Sequence, residues 1–404
     1  MKRILLLILV IVLGIGMVIM GCGGAPPAEE EEEEEEEQPR QEIVLDFASF
    51  WGATDFQYYG FKDWAKSVSD LVIDETTQWK MKFNWYAAVS PPALRTGVQT
   101  GTYDIVTAGP GYYAGVYPTW SVAEQAADTN VLPRKNALTM SMAVQALWDD
   151  PASTALRDEF AAVEPNCKVM FYWSTGPGYF LMVEGKQVRT LEDFPGKKIR
   201  SANPASNCAI TALGGTPVAK PMSAALEAFQ SGTIDGILCP TDTPKGFGLS
   251  AYVRQLTVAP ISYQFVFWQL INKDTWNSLP AEVQNIMTRV NKQYTEYFGK
   301  LRTWGELDGL GFCRQLGWNT TWFEYDLPNE NPTEYARWLA AIYPSCVNEW
   351  IAGNATRQAL WDKFVQLQKY YTNTDPWKSW SPGSLGGPPS YASPPPPTPP
   401  TTFP

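Results

Sequence analysis

Lys198-Ile199-Arg200-Ser201 places one arginine at the end of a short apolar strand, facing the turn Ala202-Asn203-Pro204. In open α/β sheets ligands sit beyond the carboxyl ends of the strands. A guanidinium there offers a planar fork of donors that matches the two oxygens of a carboxylate. Arg200 is therefore the leading candidate for gripping a small organic acid. Asn203, just past it, either gives the ligand a hydrogen bond or starts the next turn. Aromatic residues stand at comparable places. Trp51 follows the first apolar run, Tyr112 and Tyr113 follow Ala108-Gly109-Pro110-Gly111, Trp173 ends a fourth run, and Tyr263 and Trp268 flank a return run. Such rings are candidates to cover the ligand's body, although a single aromatic is more often core than ligand wall. The chemistry on offer is binding. The chain has no histidine, which excludes Ser-His and Cys-His nucleophile systems and every histidine-ligated metal site. No two acids stand at a catalytic spacing, and Glu192-Asp193 reads as the start of a helix or turn. Carboxylates such as Asp242 leave a ligand-bridging metal ion open, but no metal or cofactor is expected.

These positions depend on an α/β framework. Ile43–Phe47, Trp79–Trp85 and Tyr103–Ala108 read as strands, separated by helical stretches at Phe56–Leu71 and Pro91–Gln99. This βαβαβ order implies a mainly parallel sheet covered by helices. The order restarts after the crossing strand Cys167–Trp173, with strands at Lys198–Arg200, Thr216–Val218 and Ile234–Leu238. Between them lie helices at Asn207–Leu213 and Ala224–Gln230, the latter with Ser223 placed to cap it. One phrase occurs in both halves: Gln99-Thr-Gly-Thr-Tyr-Asp104 and Gln230-Ser-Gly-Thr-Ile-Asp235. Each reads as a helix ended by a glycine in the left-handed conformation, a turn at Asp, and entry into a buried strand. The chain then returns through Val266–Ile271. From Ala281 to Leu310 there is no proline, and apolar residues recur every three or four positions. That is a helix of about 45 Å, long enough to run under two lobes. A final helix is expected at Thr356–Tyr371.

The ends address the protein. Lys2-Arg3, the apolar run Ile4–Met20 and then Gly21-Cys22 have the form of a secretory signal peptide. Ile19-Met20-Gly21-Cys22 resembles the lipobox of bacterial lipoproteins, so residues 1–21 are expected to be removed and Cys22 lipidated, anchoring the chain outside the cytoplasm. Residues 22–41 form a tether dominated by nine consecutive glutamates, Glu29–Glu37, which repel one another and stay solvated. Without them the formal charge of −11 becomes −2, and −4 once Lys2 and Arg3 are also removed. The folded part is nearly balanced, and nucleic-acid binding is not indicated. Residues 381–404 are a Pro-rich tail without the means to form a core. Five cysteines beyond Cys22 show no CxxC spacing and leave one or two disulfides open.

With these elements in order, the chain resembles the DctP-type extracytoplasmic solute-binding proteins of tripartite ATP-independent periplasmic (TRAP) transporters. The resemblance is carried by Thr190-Leu-Glu-Asp-Phe-Pro-Gly-Lys-Lys-Ile-Arg-Ser201, Gly214-Gly-Thr-Pro-Val218, Ala225–Gly236, Leu270-Ile-Asn-Lys-Asp-Thr-Trp276 and Asn348-Glu-Trp-Ile-Ala352. It implies a two-lobed, periplasmic-binding-protein-like α/β fold, each lobe a mainly parallel sheet with flanking helices, and a long helix spanning both. The lobes are expected at 42–177 with 266–305, and at 178–265 with 306–380. It also implies closure around a small carboxylate gripped by Arg200, delivery to a TRAP permease, and no chemistry; a monomer is expected. Family members often read Asp-Gly-x-Glu-Asn-Pro where this chain has Asp235-Gly-Ile-Leu-Cys-Pro240, so Cys239 takes the place of a ligand-binding amide. Many carry a second arginine where this chain has Thr175-Gly-Pro-Gly-Tyr-Phe180. One arginine in a less polar site points to a monocarboxylate with an apolar or aromatic body. The competing readings are a sugar or peptide binder serving an ATP-driven importer, an enzyme working on carboxylates, and a tethered sensor.

Overall fold

Two sheets organise the chain, and each is built where short β-branched and aromatic runs alternate with amphipathic helices. The computed structural model describes residues 39–125, 136–260, 264–317 and 323–374, together with residues 398 and 400. The signal segment, Cys22, most of the tether, Tyr263 and nearly all of the Pro-rich tail lie outside the described residues. Eleven strands are described: β1 Gln41–Ser49, β2 Trp79–Tyr86, β3 Ile105–Ala108, β4 Cys167–Ser174, β5 Tyr179–Val183, β6 Lys198–Ser201, β7 Thr216–Ala219, β8 Gly236–Cys239, β9 Val253–Val258, β10 Val266–Asn272 and β11 Phe323–Asp326. The first sheet has the order β2-β1-β3-β10-β4 and the second β11-β9-β5-β8-β6-β7.

Both sheets are mixed. The βαβ units give parallel pairs, β1 with β2 and β3, and β6 with β7 and β8. The antiparallel pairs all involve β10 in the first sheet and β5 in the second. These are the strands by which the chain arrives from the other sheet. It leaves the first sheet after β4, crosses at 175–178 and enters the second as β5; it leaves after β9, crosses at 259–265 and re-enters as β10. A strand arriving by crossover comes in at the end facing the other lobe, so it runs against its neighbours.

The repeated phrase folds the same way twice. Gly101 has φ +75° and Gly232 φ +64°. The hydroxyls of Thr100 and Thr102 lie 3.0 Å apart, those of Ser231 and Thr233 2.8 Å. Asp104 Oδ2 accepts from the Asp46 N–H at 2.8 Å, and Asp235 Oδ2 from the Lys198 N–H at 2.8 Å. Each aspartate thereby ties the helix–strand turn to the neighbouring parallel strand. One local expectation fails. Ser223 lies within a 3-10 turn, Met222–Ala224, and the helix Ala225–Gln230 has no side-chain cap.

The helix Phe56–Glu75 starts at Asp55, whose carboxylate accepts from the Gln57 N–H at 2.8 Å, and buries Phe61, Trp64, Ala65, Val68 and Val72. The long helix runs from Ala281 to Gly317, 37 residues, or about 55 Å. Its glycines mark its course between the lobes. A Cβ on Gly299 would lie 2.8 Å from Leu138 Cα in the first lobe, and one on Gly309 2.4 Å from Asp242 Cα in the second. Any side chain at 309 would therefore push the second lobe off the helix. The last helix, Ala355–Thr374, packs on the first-lobe helix Ala137–Asp149, with Lys363 Nζ 2.5 Å from Asp150. An amphipathic stripe fixes burial but not which layer receives it. One disulfide, Cys208–Cys346, joins the helices Pro204–Ala212 and Ser345–Ile351, while Cys167, Cys239 and Cys313 are buried free thiols. Among the described residues no helix is long and apolar enough to cross a membrane.

Candidate ligand-binding cleft

Arg200 is the third residue of the four-residue strand β6 and is wholly buried. Its Nε donates to the Lys220 carbonyl at 2.8 Å, just past β7, which fixes the plane of the guanidinium. Nη1 and Nη2 have no hydrogen-bond partner among the described residues. They are the two donors that a carboxylate engages side by side. Buried donors are nearly always matched, so this fork is set up for an acceptor that the described residues do not supply.

The lobes touch at several places. Phe50 of the first lobe and Phe247 of the second have ring centroids 5.7 Å apart. Trp350 Nε1 donates to the Pro118 carbonyl at 2.7 Å. Asn203 caps the helix Pro204–Ala212, its Oδ1 accepting from the Ser206 N–H at 2.9 Å, and its Nδ2 donates to the Gln264 carbonyl at 3.0 Å on the return crossing. Both ends of this amide are engaged by the protein. Asn203 also lies beside the carboxyl of Glu124, which accepts from the Val266 N–H at 3.3 Å. Burial pushes the Glu124 carboxyl up to about 8, outweighing both neighbours, and among the described residues no cation opposes it.

The predicted aromatics separate into three places. Tyr112 packs on the return crossing and the first lobe: its ring lies 4.3 Å from Phe265 and 5.2 Å from Phe50. Trp51 and Trp173 pack with Phe267, at 4.8 and 5.7 Å, in the layer between the first sheet and the long helix, where Phe298 is 4.9 Å from Trp173. Trp268 points to the opposite face, edge-on to Tyr117 at 5.2 Å and Phe160 at 5.6 Å. Tyr113 turns into its own lobe, its hydroxyl donating to the Pro91 carbonyl at 2.6 Å and its ring under Arg95. Cys239 ends β8, wholly buried, with its thiol pushed up by burial, so it is protonated and a weak donor at most. Sequence reasoning missed Phe50, Phe247, Phe265, Glu124 and Gln264. Phe265 and Gln264 could have been found, since both sit in a segment that must cross between the sheets.

A second polar group lies beside the crossings. Asp242 pairs with Arg302 of the long helix through two bonds of 2.9 and 3.2 Å, both side chains buried. Glu306, one turn on, accepts from the Gly176 N–H at 2.8 Å and so holds the first crossing. Asp55 approaches from the first lobe: a Cβ on Gly246 of the second would lie 2.8 Å from its Oδ2. Burial raises Asp55 to about 7 and Glu306 to about 8. Asp242 is occupied by Arg302, and among the described residues no group of three His, Cys, Asp or Glu could hold a metal ion.

Two lobes and a buried arginine whose Nη1 and Nη2 are unmatched among the described residues suit the capture of a solute, and the family comparison agrees. The model for DctP, bacterial extracellular solute-binding protein, family 7, matches residues 47–326. The chain belongs to the DctP family. This is a family of extracytoplasmic TRAP solute-binding proteins, not of enzymes, and it implies a small-molecule ligand and a TRAP permease as partner. Solved structures share the DctP fold. A TRAP solute-binding protein from Rhodoferax ferrireducens T118, in complex with copurified benzoate, has a TM-score of 0.70 at 23% identity, covering 82% of this chain and 99% of that one. A marine metagenome protein specific for aromatic acid ligands, with 3-hydroxybenzoate, has a TM-score of 0.69 at 23% identity over 82% and 99%. One from Sulfitobacter sp. NAS-14.1 with β-D-galacturonate has a TM-score of 0.63 at 16% identity over 80% and 99%. A comparison with curated protein sequences finds no match.

Proposed function

We propose that this DctP protein captures a small monocarboxylate with an apolar or aromatic body, closes its two lobes around it, and delivers it to a TRAP permease as a lipid-anchored monomer. The observation that carries the ligand class is Arg200, wholly buried with Nη1 and Nη2 unmatched. One fork matches one carboxylate. The contact between the lobes is aromatic: Phe50, Tyr112, Phe247 and Phe265 come from both lobes and the crossing. Benzoate and 3-hydroxybenzoate in two proteins of the same fold fit such a contact, whereas a uronate needs hydroxyl partners around its ring.

Isothermal titration of the purified protein against benzoate, phenylacetate, succinate, galacturonate and glucose tests this reading. Benzoate or phenylacetate is expected to bind at least 10-fold more tightly than the others. Tightest binding of glucose would instead support a sugar binder of an ATP-driven importer, and tightest binding of succinate or galacturonate would remove the monocarboxylate. The anchor is tested separately. Cells fed radiolabelled palmitate are expected to label the protein, and Cys22→Ala is expected to abolish the label; a labelled variant would refute lipidation at Cys22.

A further inference from the structure

Arg200 accounts for one end of a ligand only. The return crossing between the sheets carries a second buried polar group without a match. Gln264 has no exposed surface, and neither its Oε1 nor its Nε2 has a hydrogen-bond partner among the described residues. Its position is fixed from the backbone, because its carbonyl accepts from Asn203 Nδ2, three residues beyond Arg200 on the second lobe. The same Asn203 side chain lies beside Glu124 of the first lobe, whose carboxyl takes the Val266 N–H. Asn203 thus stands between the Gln264 backbone and the Glu124 carboxyl. A Cβ on Gly111 would lie 2.7 Å from Glu124 Oε1 and 2.8 Å from the Phe265 ring, so this group abuts the aromatic contact between the lobes.

We propose that Gln264 and Glu124 form a second polar subsite of the same cleft, which takes a hydroxyl group on the ligand and refuses a second carboxylate. This rests on the reading of Arg200 as the carboxylate grip. A primary amide can accept from a hydroxyl through Oε1 and donate to it through Nε2. A buried amide left unmatched costs stability, and a hydroxyl recovers that cost while a bare C–H does not. A site built to pair with a hydroxyl therefore separates ligands with and without it more sharply than an apolar pocket does. Glu124 supplies the refusal. Among the described residues its environment contains a backbone N–H and an amide but no cation, so a second carboxylate would be buried beside a carboxyl with none of them to neutralise it. The ligand class narrows to hydroxylated monocarboxylates.

The test uses ligand sets that differ in one substituent: benzoate, 3-hydroxybenzoate and isophthalate, and the aliphatic set propionate, lactate and malonate. Titrations compare the wild-type chain with Gln264→Leu, which has a similar volume and no polar atoms. In wild type the hydroxylated member of at least one set is expected to bind 10-fold or more tightly than its parent, with the dicarboxylate weakest. In Gln264→Leu that advantage is expected to fall below threefold while the parent acid keeps its affinity. Equal affinity of hydroxylated and parent acids in wild type overturns the subsite but leaves the Arg200 reading intact. A hydroxyl advantage confined to the aliphatic set keeps the subsite and removes the aromatic body. If no member of either set binds, both readings fall. Because the wild-type ratios alone decide the hydroxyl preference, a Gln264→Leu chain that fails to fold does not rescue the proposal.

Discussion

Replacing Arg200 by methionine is expected to weaken binding of the carboxylate ligand by at least about 100-fold. The ligand-free protein should melt no lower than wild type. The two expectations share a cause. Arg200 is wholly buried, with Nε committed to the Lys220 carbonyl and Nη1 and Nη2 unmatched. A buried charged group with unmatched donors is a cost to the closed, empty protein, and a methionine of similar length removes it. With ligand bound, the same donors form two charge-assisted bonds in a dry site. Truncating one partner of such a pair typically costs about 2–5 kcal/mol, and every 1.4 kcal/mol is about tenfold in affinity. Arg200→Lys should recover little, because an ammonium keeps the charge but not the planar fork. Calorimetric titration and thermal melts of the three proteins check this. Affinity in the methionine variant within threefold of wild type would show that the carboxylate binds elsewhere.

Much of this site could be read in advance because strand ends and their turns are local. Arg200 stands out through a four-residue strand and its turn, and the paired Gln-x-Gly-Thr-x-Asp phrases fold alike because glycine conformation and an aspartate cap need only neighbours in sequence. What could not be read is which rings face the cleft. Every residue of β10, from Val266 to Asn272, is buried. Phe267 faces Trp51 and the long-helix layer, while Trp268 faces Tyr117 and Phe160. Alternation reveals the buried face of a strand only when the other face meets water. Here both faces are covered, so Trp173 and Trp268 looked equivalent to Tyr112. Gln264 and Phe265 lie in a crossing with no periodicity, and Phe247 in a short turn between Gly246 and Gly248. Their roles arise only when two sheets far apart in sequence come together. The apolar stripe of the C-terminal helix likewise fits either lobe.

Closure also carries a pH dependence of defined sign. Three carboxyls sit at contacts between lobes or against a crossing: Asp55 near Asp242, Arg302, Gln57 and Gly246; Glu306 near Arg302, Asp242, Tyr179 and the Gly176 N–H; Glu124 near Asn203, Val266 and Gly111. Burial is the largest cause of the shift in each, raising Asp55 to about 7 and the two glutamates to about 8. A group whose pKa is higher in the closed form takes up a proton on closing. Its support for closure is complete below its ordinary value near 4 and is lost as the pH rises through 7 to 8. One glutamate moving from 4.5 to 8 weakens closure by roughly 50-fold between pH 6 and pH 8. A monocarboxylate ligand is already ionised across that range, so its own titration does not contribute. Ligand affinity is therefore expected to fall at least 10-fold from pH 6 to 8, with net proton uptake on binding, seen as a heat that changes with the ionisation enthalpy of the buffer. Asp55→Asn preserves the helix cap to the Gln57 N–H and is expected to bind fewer protons on closure and to flatten the profile between pH 5 and 7. Glu124→Gln should flatten it between 6 and 8. An affinity constant from pH 5 to 9, or binding heats independent of buffer, would mean that these carboxyls keep the same protonation in the open and closed forms. The acid-favoured closure gives the direction of the coupling: a solute held at mildly acidic pH is held more weakly where the medium is alkaline.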